Sequence, residues 1–128
     1  MRRNERFEER APVFKLAKCD HLSKNIQFQT VYKSGKSYAN RMMVLYVRHN
    51  DLAGRKVGFA AGKKLGNAVV RNRIKRLMRE VYRHHQGKLI PGLDLILVGR
   101  QSMIDAGYKE AEKAFLALCL KADIISKN

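Results

Sequence analysis

The apolar positions of the chain recur with two different periods, and these periods predict six elements of secondary structure. Apolar residues three and four positions apart predict helices, whereas alternating or short continuous apolar runs predict strands. The predicted elements are, in chain order, a helix at 24–33, strands at 41–48 and 56–62, a helix at 67–83, a strand at 93–98 and a helix at 108–122. Ser23 is a suitable N-cap for the first helix, and Gly35 is a suitable stop.

The strand patterns predict how the sheet is built. A turn through Asn50, Asp51 and Gly54 separates the first two strands, so we expect these strands to form an antiparallel pair. Strand 93–98 is apolar on both faces, which is typical of the interior of a sheet, and its Asp94 needs a polar partner. One face of strand 56–62 consists of Gly58, Ala60 and Gly62 and therefore has almost no side chains. Such a face permits close approach by a helix or a ligand.

Helix 67–83 combines a narrow apolar stripe with a wide cationic arc. Its apolar stripe contains Val70, Ile74, Leu77, Met78 and Val81, and these residues follow the helical period. Like charges one turn apart weaken an isolated helix. The exposed arc is nevertheless expected to carry six cations: Arg71, Arg73, Lys75, Arg76, Arg79 and Arg83. A merely solvated face would normally interleave acids, but Glu80 is the one acid here. Binding of a polyanion therefore accounts for the pattern better.

Composition strengthens this interpretation. The 128 residues include 27 Lys and Arg against 11 Asp and Glu, which gives a net charge of +16. Between residues 63 and 88 there are nine Lys and Arg against Glu80, a surplus of eight, so one fifth of the chain carries half of the net charge. Five of the six cations of helix 67–83 are arginine, which favours planar recognition of phosphates and bases. Lys63 and Lys64 precede Gly66 and Asn67 at the helix start, where free backbone donors favour a second phosphate site.

Three aromatic residues are candidates for a second binding surface. Phe28 and Tyr32 lie one turn apart on the first helix, and Tyr46 shares a strand face with Val44 and Arg48. Taken singly, each ring is more typical of a core. If the helix lies on that sheet face, the three rings line one groove, on which single-stranded bases could stack.

The remaining features limit the classes of protein. Cys19 and Cys119 lie far apart without nearby Cys or His at metal-ligand spacing, so we expect free thiols. No apolar stretch reaches the roughly 18 residues of a membrane span, and the N-terminus is too charged for a secretory signal. A bacterial-type or organellar interior suits such a chain, and we expect a cytoplasmic location. We expect one domain at 20–122, a mobile N-terminal arm at 1–19 and a tail at 123–128.

The stretch from Gly66 to Glu80, GNAVVRNRIKRLMRE, closely resembles the signature of the bacterial ribonuclease P protein subunit. Its centre is the triplet Arg71-Asn72-Arg73. The segments FQTVYKSG at 28–35 and ANR at 39–41, the pair Val57-Gly58 and the pair Lys63-Lys64 occur in the family's order and spacing. The resemblance covers about residues 20–122. At Gly62 the chain departs from the family, many members of which have a small hydroxyl residue there.

The resemblance implies a fold and a function. The fold is an α/β (α+β) sandwich of three helices and a four-stranded mixed sheet in the order α-β-β-β-α-β-α, with a left-handed β-α-β crossover. The function is that of a protein cofactor: the catalytic RNA subunit, with Mg²⁺ at its own active site, removes the 5′ leader from precursor tRNA. Neither a membrane nor a protein oligomer is implied.

The resemblance also implies roles for particular residues. Phe28, Tyr32 and Tyr46 match the family's leader-binding cleft, and Arg48 on the same strand face is assigned to it. The residues matched to contacts with the catalytic RNA are Lys63, Lys64, Asn67, Arg71, Asn72, Arg73, Lys75, Arg76 and Arg79.

Other classes of function remain open at this point. A ribosomal or other RNA-structural protein also uses basic helices, but it does not require an aromatic cleft. A protein nuclease needs a carboxylate cluster or a His pair placed for acid–base work. His84 and His85 point about 100 degrees apart at the end of the basic helix, and we expect them to be solvated or in contact with phosphate. A membrane-surface role is weaker, since the apolar stripe is needed for the core.

Overall fold

The computed structural model of the chain describes residues 22, 25–50 and 54–126. Three helices and four strands make up the fold, and three short 3-10 turns join some of them. In chain order they are α1 (Asn25–Ser34), β1 (Lys36–Ala39), β2 (Met43–His49), β3 (Arg55–Ala61), a 3-10 turn (Lys63–Leu65), α2 (Ala68–His85), a 3-10 turn (Gln86–Lys88), β4 (Leu93–Gly99), a 3-10 turn (Gln101–Met103) and α3 (Tyr108–Ala122).

All six elements expected from periodicity are present, with ends that differ by two residues or fewer. The expected N-cap Ser23 lies outside the described residues, whereas Gly35 does follow the last residue of α1. The sequence pattern missed β1, because its four residues, KSYA, are mostly exposed and have no apolar alternation. The order of helices and strands is the one that the family resemblance implies.

The sheet has the strand order β1-β2-β4-β3. β4 lies between β2 and β3, antiparallel to β2 and parallel to β3. The expected antiparallel pair of strands 41–48 and 56–62 is therefore wrong. The connection between them passes the start of β4, where the Asn50 amide donates to the Gly92 carbonyl at 2.8 Å and the Gly92 amide donates to the Gly54 carbonyl at 3.1 Å.

Burial explains why β4 takes the central position. β4 carries apolar side chains on both faces, and Leu93, Leu95, Ile96 and Leu97 are all 1 % exposed or less. A strand that is apolar on both faces loses most water contact between two other strands, with helices on each side. Its interior position, expected from the sequence, is confirmed.

The two sheet faces support different layers. One face packs the main core against α2 and α3, with Leu45, Leu95, Ile74, Met78 and Phe115 fully buried. On the opposite face, Leu22, Val31 and Ile96 form a smaller cluster under α1. The parallel strands β3 and β4 are joined through α2, as the family resemblance implies, and the left hand of this crossover stays a prediction.

Candidate nucleic-acid interface

The start of α2 is fixed by a cap and a glycine. Gly66 has a φ of +143°, a backbone region that side chains disfavour. The Asn67 side chain then accepts a hydrogen bond from the Val70 amide at 3.1 Å, so Asn67 is the N-cap of the helix. Lys63 and Lys64 lie just before, in the 3-10 turn, and both are exposed. Two cations and a helix N-terminus are thus next to each other in the chain.

The cations of α2 form two rows along the helix. Arg71, Lys75 and Arg79 are spaced by four residues in one row, and Arg73 and Arg76 lie in a second row about 60 degrees or more away. Asn72 is exposed between the rows. We call the five cations together the basic face. No carboxylate of the described residues pairs with any of them.

Two members of the basic face also have contacts within the fold. The Arg79 guanidinium lies over the Phe59 ring, 5.3 Å from its centroid, and burial together with the nearby charge of Arg76 lowers the pKa of Arg79. Arg73 donates hydrogen bonds to the carbonyls of Ile104 at 3.0 Å and Ala106 at 2.8 Å. Arg73 therefore fixes the loop before α3, although its side chain is still exposed to solvent.

The C-terminal end of α2 differs from what the sequence predicted. Arg83 is buried and pairs with Glu80, with 2.6 Å between Nη2 and Oε2, so its assignment to the exposed arc is wrong. His85 is also buried, and its Nε2 lies 2.6 Å from Glu112 of α3, so it is neither solvated nor available to phosphate. His84 Nδ1 lies 2.6 Å from the Tyr108 hydroxyl. The reason is that α3 covers this end of α2, which a helical wheel of α2 alone does not include.

The three predicted aromatic residues do come together. The Tyr32 and Tyr46 rings meet edge to face with centroids 4.8 Å apart, and Phe28 lies 6.4 Å from Tyr32. Phe28 and Tyr46 pack against the smaller core cluster, whereas Tyr32 is 39 % exposed. Burial raises the pKa of Tyr32, and the neighbouring Tyr46 raises it further. The cluster is therefore core on one side and open on the other.

Gly58 allows α1 to approach the sheet. A Cβ added there would lie 2.6 Å from the Phe28 Cζ, so the Phe28 ring occupies the space that a side chain at position 58 would need. The bare face of β3 was expected to permit this approach, and that prediction is confirmed. Gly62, by contrast, faces open space and is exposed.

A polar group lies on the same sheet face as Tyr46. The Arg48 Nη1 donates to Asp94 Oδ2 at 2.9 Å, and Asn50 Nδ2 donates to Asp94 Oδ1 at 2.8 Å. Asp94 thus has the partners that its burial requires. Lys56 of β3 pairs in register with Asp94 and is half-buried. The sequence interpretation missed Lys56, although its alternation with Gly58 and Ala60 places it on this face.

Comparisons with known proteins now decide the family. The family model described as Ribonuclease P matches residues 16–123. The chain belongs to the ribonuclease P protein family. It is 44% identical over 107 residues to the ribonuclease P protein component of Natranaerobius thermophilus, which covers 84% of this chain and 93% of that protein. With that of Alkaliphilus metalliredigens the identity is 42% over 105 residues, covering 82% and 95% respectively.

Solved structures of ribonuclease P proteins share the fold. The Staphylococcus aureus RNase P protein superposes with a TM-score of 0.77 at 34% identity, covering 85% of this chain and 100% of that chain. The Thermotoga maritima RNase P protein gives a TM-score of 0.70 at 26% identity, covering 77% and 93%. The α+β fold of three helices and a mixed four-stranded sheet is therefore that of ribonuclease P proteins.

Across residues 22, 25–50 and 54–126, no three side chains of His, Cys, Asp or Glu group as they would around a metal ion. The helices in this same part of the ribonuclease P fold include none with the length and apolarity of a transmembrane span. Cys119 is a free, buried thiol, and Cys19 lies outside the described residues.

Proposed function

We propose that this chain is the protein subunit of a ribonuclease P. In this role it binds the catalytic RNA subunit and the 5′ leader of precursor tRNA, and it assists the endonucleolytic removal of that leader in the cytoplasm. One observation carries the proposal: α2, which carries the basic face, and the aromatic cluster lie on opposite faces of the same sheet. Two separate surfaces suit two segments of RNA that are held at once.

The basic face is the proposed contact with the catalytic RNA. Its five cations have no carboxylate partner among the described residues, so a polyanion supplies the missing negative charge. Asn72 lies exposed between the rows and offers an amide to bases or riboses. Lys63, Lys64 and the N-terminus of α2 at Asn67 add phosphate contacts.

The aromatic cluster is the proposed leader site. Tyr32 exposes part of its ring beside Tyr46 and Phe28, which suits stacking of unpaired bases. Arg48 remains about one-third exposed while Asp94 holds one of its nitrogens, so its direction is fixed and its other side can meet a phosphate. Base stacking and one oriented cation favour a single strand of any sequence.

The protein's chemical contribution is one of binding and orientation. In this proposal Mg²⁺ is held by the RNA subunit, where it supports hydrolysis of the phosphodiester between leader and tRNA. The described side chains include several cations that lower the repulsion between two RNA molecules. We therefore expect the protein to reduce the Mg²⁺ concentration that the catalytic RNA needs.

Reconstitution tests the proposal. Purified protein alone should leave precursor tRNA uncut, and protein added to a ribonuclease P RNA should lower the Mg²⁺ concentration for half-maximal cleavage. The RNA without protein, over the same Mg²⁺ series, is the control. Cleavage by the protein without RNA, or an unchanged Mg²⁺ requirement, would contradict the proposal.

A substitution in the aromatic cluster tests the leader site separately. Tyr32→Ala should weaken binding of leader-bearing precursor tRNA to the reconstituted enzyme by about 1–3 kcal/mol, the loss of one stacked base. Binding of mature tRNA should be unchanged. Ile26→Ala is a matched control, because Ile26 lies on the same helix and is 69 % exposed. Equal losses for precursor and mature tRNA would remove the leader from this surface.

A further inference from the structure

A pocket lies between α2 and the start of α3, at the edge of the basic face, two of whose members, Arg73 and Arg76, line it. Its volume is about 430 Å³, enough for a planar ring system and water. One wall comes from α2, where Arg73, Arg76, Leu77 and Glu80 recur at the spacing of one helix face. Gly107 and Tyr108 form the opposite wall.

Tyr108 is held in a fixed position at this pocket. Its hydroxyl lies 2.6 Å from His84 Nδ1, and the two rings meet edge to face with centroids 5.5 Å apart. Burial, followed by the negative charges of Glu112 and Glu80, raises the pKa of Tyr108 to about 12. The phenol therefore stays neutral, and a ring held in place loses little entropy when another ring stacks on it.

Several donors around the pocket are already in use, which suits a base better than a phosphate. Arg73 already donates to backbone carbonyls, and the Gly107 amide is occupied by the Glu110 carboxylate at 2.8 Å. The Glu80 carboxylate also lines the pocket, and its ion pair with Arg83 at 2.6 Å fixes its position while leaving lone pairs that can accept hydrogen bonds. A carboxylate accepts hydrogen bonds from an exocyclic amino group, as acidic residues do from cytosine. Arg76 provides a planar cation opposite the aromatic ring.

We propose that the pocket between α2 and α3 receives one unpaired base of the ribonuclease P RNA that carries an exocyclic amino group: adenine, cytosine or guanine. The base stacks between Tyr108 and the Arg76 guanidinium, and its amino group donates to Glu80. This inference rests on the proposed function, since it deepens the contact with the RNA subunit. It adds a contact that reads base type beside a basic face that reads phosphates.

Affinity for the RNA subunit tests the stacking. Tyr108→Leu keeps apolar volume but removes the ring, and it should weaken binding about 5- to 100-fold. Tyr108→Phe keeps the ring and should bind within about twofold of the original protein. Leu120→Ala, on the same helix with a side chain 68 % exposed, is the control. The slope of log affinity against log salt should not change in Tyr108→Leu, because no ion pair is lost.

Chemical probing locates the base. Dimethyl sulfate modifies unpaired adenine and cytosine, and kethoxal modifies unpaired guanine, so one such base should be protected in the complex with the original protein and reactive with Tyr108→Leu. Unchanged affinity together with an unchanged modification pattern would overturn the pocket proposal. A changed salt slope would also overturn it, in favour of a phosphate contact. If the original protein fails to bind the RNA at all, the proposed function itself fails, and the two failures are thereby distinguished.

Discussion

Gly58 sets the distance between α1 and the sheet, and so it sets the position of the aromatic cluster. The Phe28 ring lies where a Cβ of residue 58 would be, and no shift of a flexible chain end relieves that overlap because the ring is packed in the smaller core. One methyl group at this position has to push the helix away from the sheet.

Gly58→Ala is therefore expected to lower the free energy of unfolding by about 1–3 kcal/mol, the usual cost of overpacking. Urea unfolding measures the loss. Gly62→Ala is the matched control, because nothing lies within 4 Å of a Cβ there, and it should be neutral or slightly stabilising. Equal stability of the two variants would show that Phe28 is not seated on Gly58.

Cys119 gives the fold a sensitivity to alkaline pH. Burial raises its pKa from 9.0 to about 12, so the folded state holds the thiol proton more tightly than the unfolded state does. The stabilisation is full below pH 9 and is lost as the pH rises through about 12. Tyr108, with its raised pKa, acts in the same direction above pH 10.

We expect the free energy of unfolding to fall between pH 9 and 12, and to fall less steeply in Cys119→Ala than in the original protein. Urea unfolding at several pH values in this range measures both slopes. Tyr108→Phe is a second comparison, since it removes the other titrating group. Parallel pH profiles for the original protein and Cys119→Ala would contradict the assigned role of the buried thiol.

At the scale of residues, the positions of some side chains were predictable from the sequence and those of others were not. The meeting of Phe28, Tyr32 and Tyr46 was predictable, because helical and strand periods fix the side of each ring. The burial of Arg83 and His85 was not, because it depends on α3, which starts more than twenty residues later. The Tyr108 wall of the pocket was missed for the same reason.

At the scale of elements, α2 is the one whose own side chains most oppose its formation. Its cationic rows repel one another along the helix, so packing and capping have to stabilise it. Ile74, Met78 and Val81 are fully buried against the sheet and α3. Asn67 caps the first turn, where the basic face begins.

Asn67→Ala should lower the free energy of unfolding by about 1 kcal/mol, because the Val70 amide loses its acceptor. Thermal unfolding measures this loss. Asn72→Ala is the matched control in the interior of the same helix, where Asn72 is exposed and alanine has the better helix propensity. If both substitutions raise stability equally, Asn67 is not acting as a cap.

Element positions were predictable from sequence, but their pairing was not. Periodicity located six elements because each has an apolar side of its own, whereas β1 is short and mostly exposed. The wrong pairing of β2 with β3 arose because a nearby turn suggested a hairpin. The continuous apolar run at 93–98 already indicated an interior strand. Placing that strand between β2 and β3, in place of the expected hairpin, would have given the observed strand order.

At the scale of the whole molecule, a single sheet separates two proposed RNA surfaces. The aromatic cluster lies under α1 on one face, and α2 with its cations packs on the other. A net charge of +16 attracts RNA to the molecule as a whole, so specificity has to come from where the cations are placed. Substitutions that remove one surface at a time are what distinguish the two proposed surfaces experimentally.

The most direct test of the account is a salt titration of binding to a ribonuclease P RNA. Arg71→Gln with Lys75→Gln should reduce the slope of log affinity against log salt by roughly one to two, the effect of losing two phosphate contacts. Lys113→Gln with Lys121→Gln removes the same charge from exposed sites on α3 and should leave the slope unchanged. Equal slopes for both double variants, or no association of the original protein at about 0.15 M salt, would contradict the central claim that the basic face of α2 binds RNA.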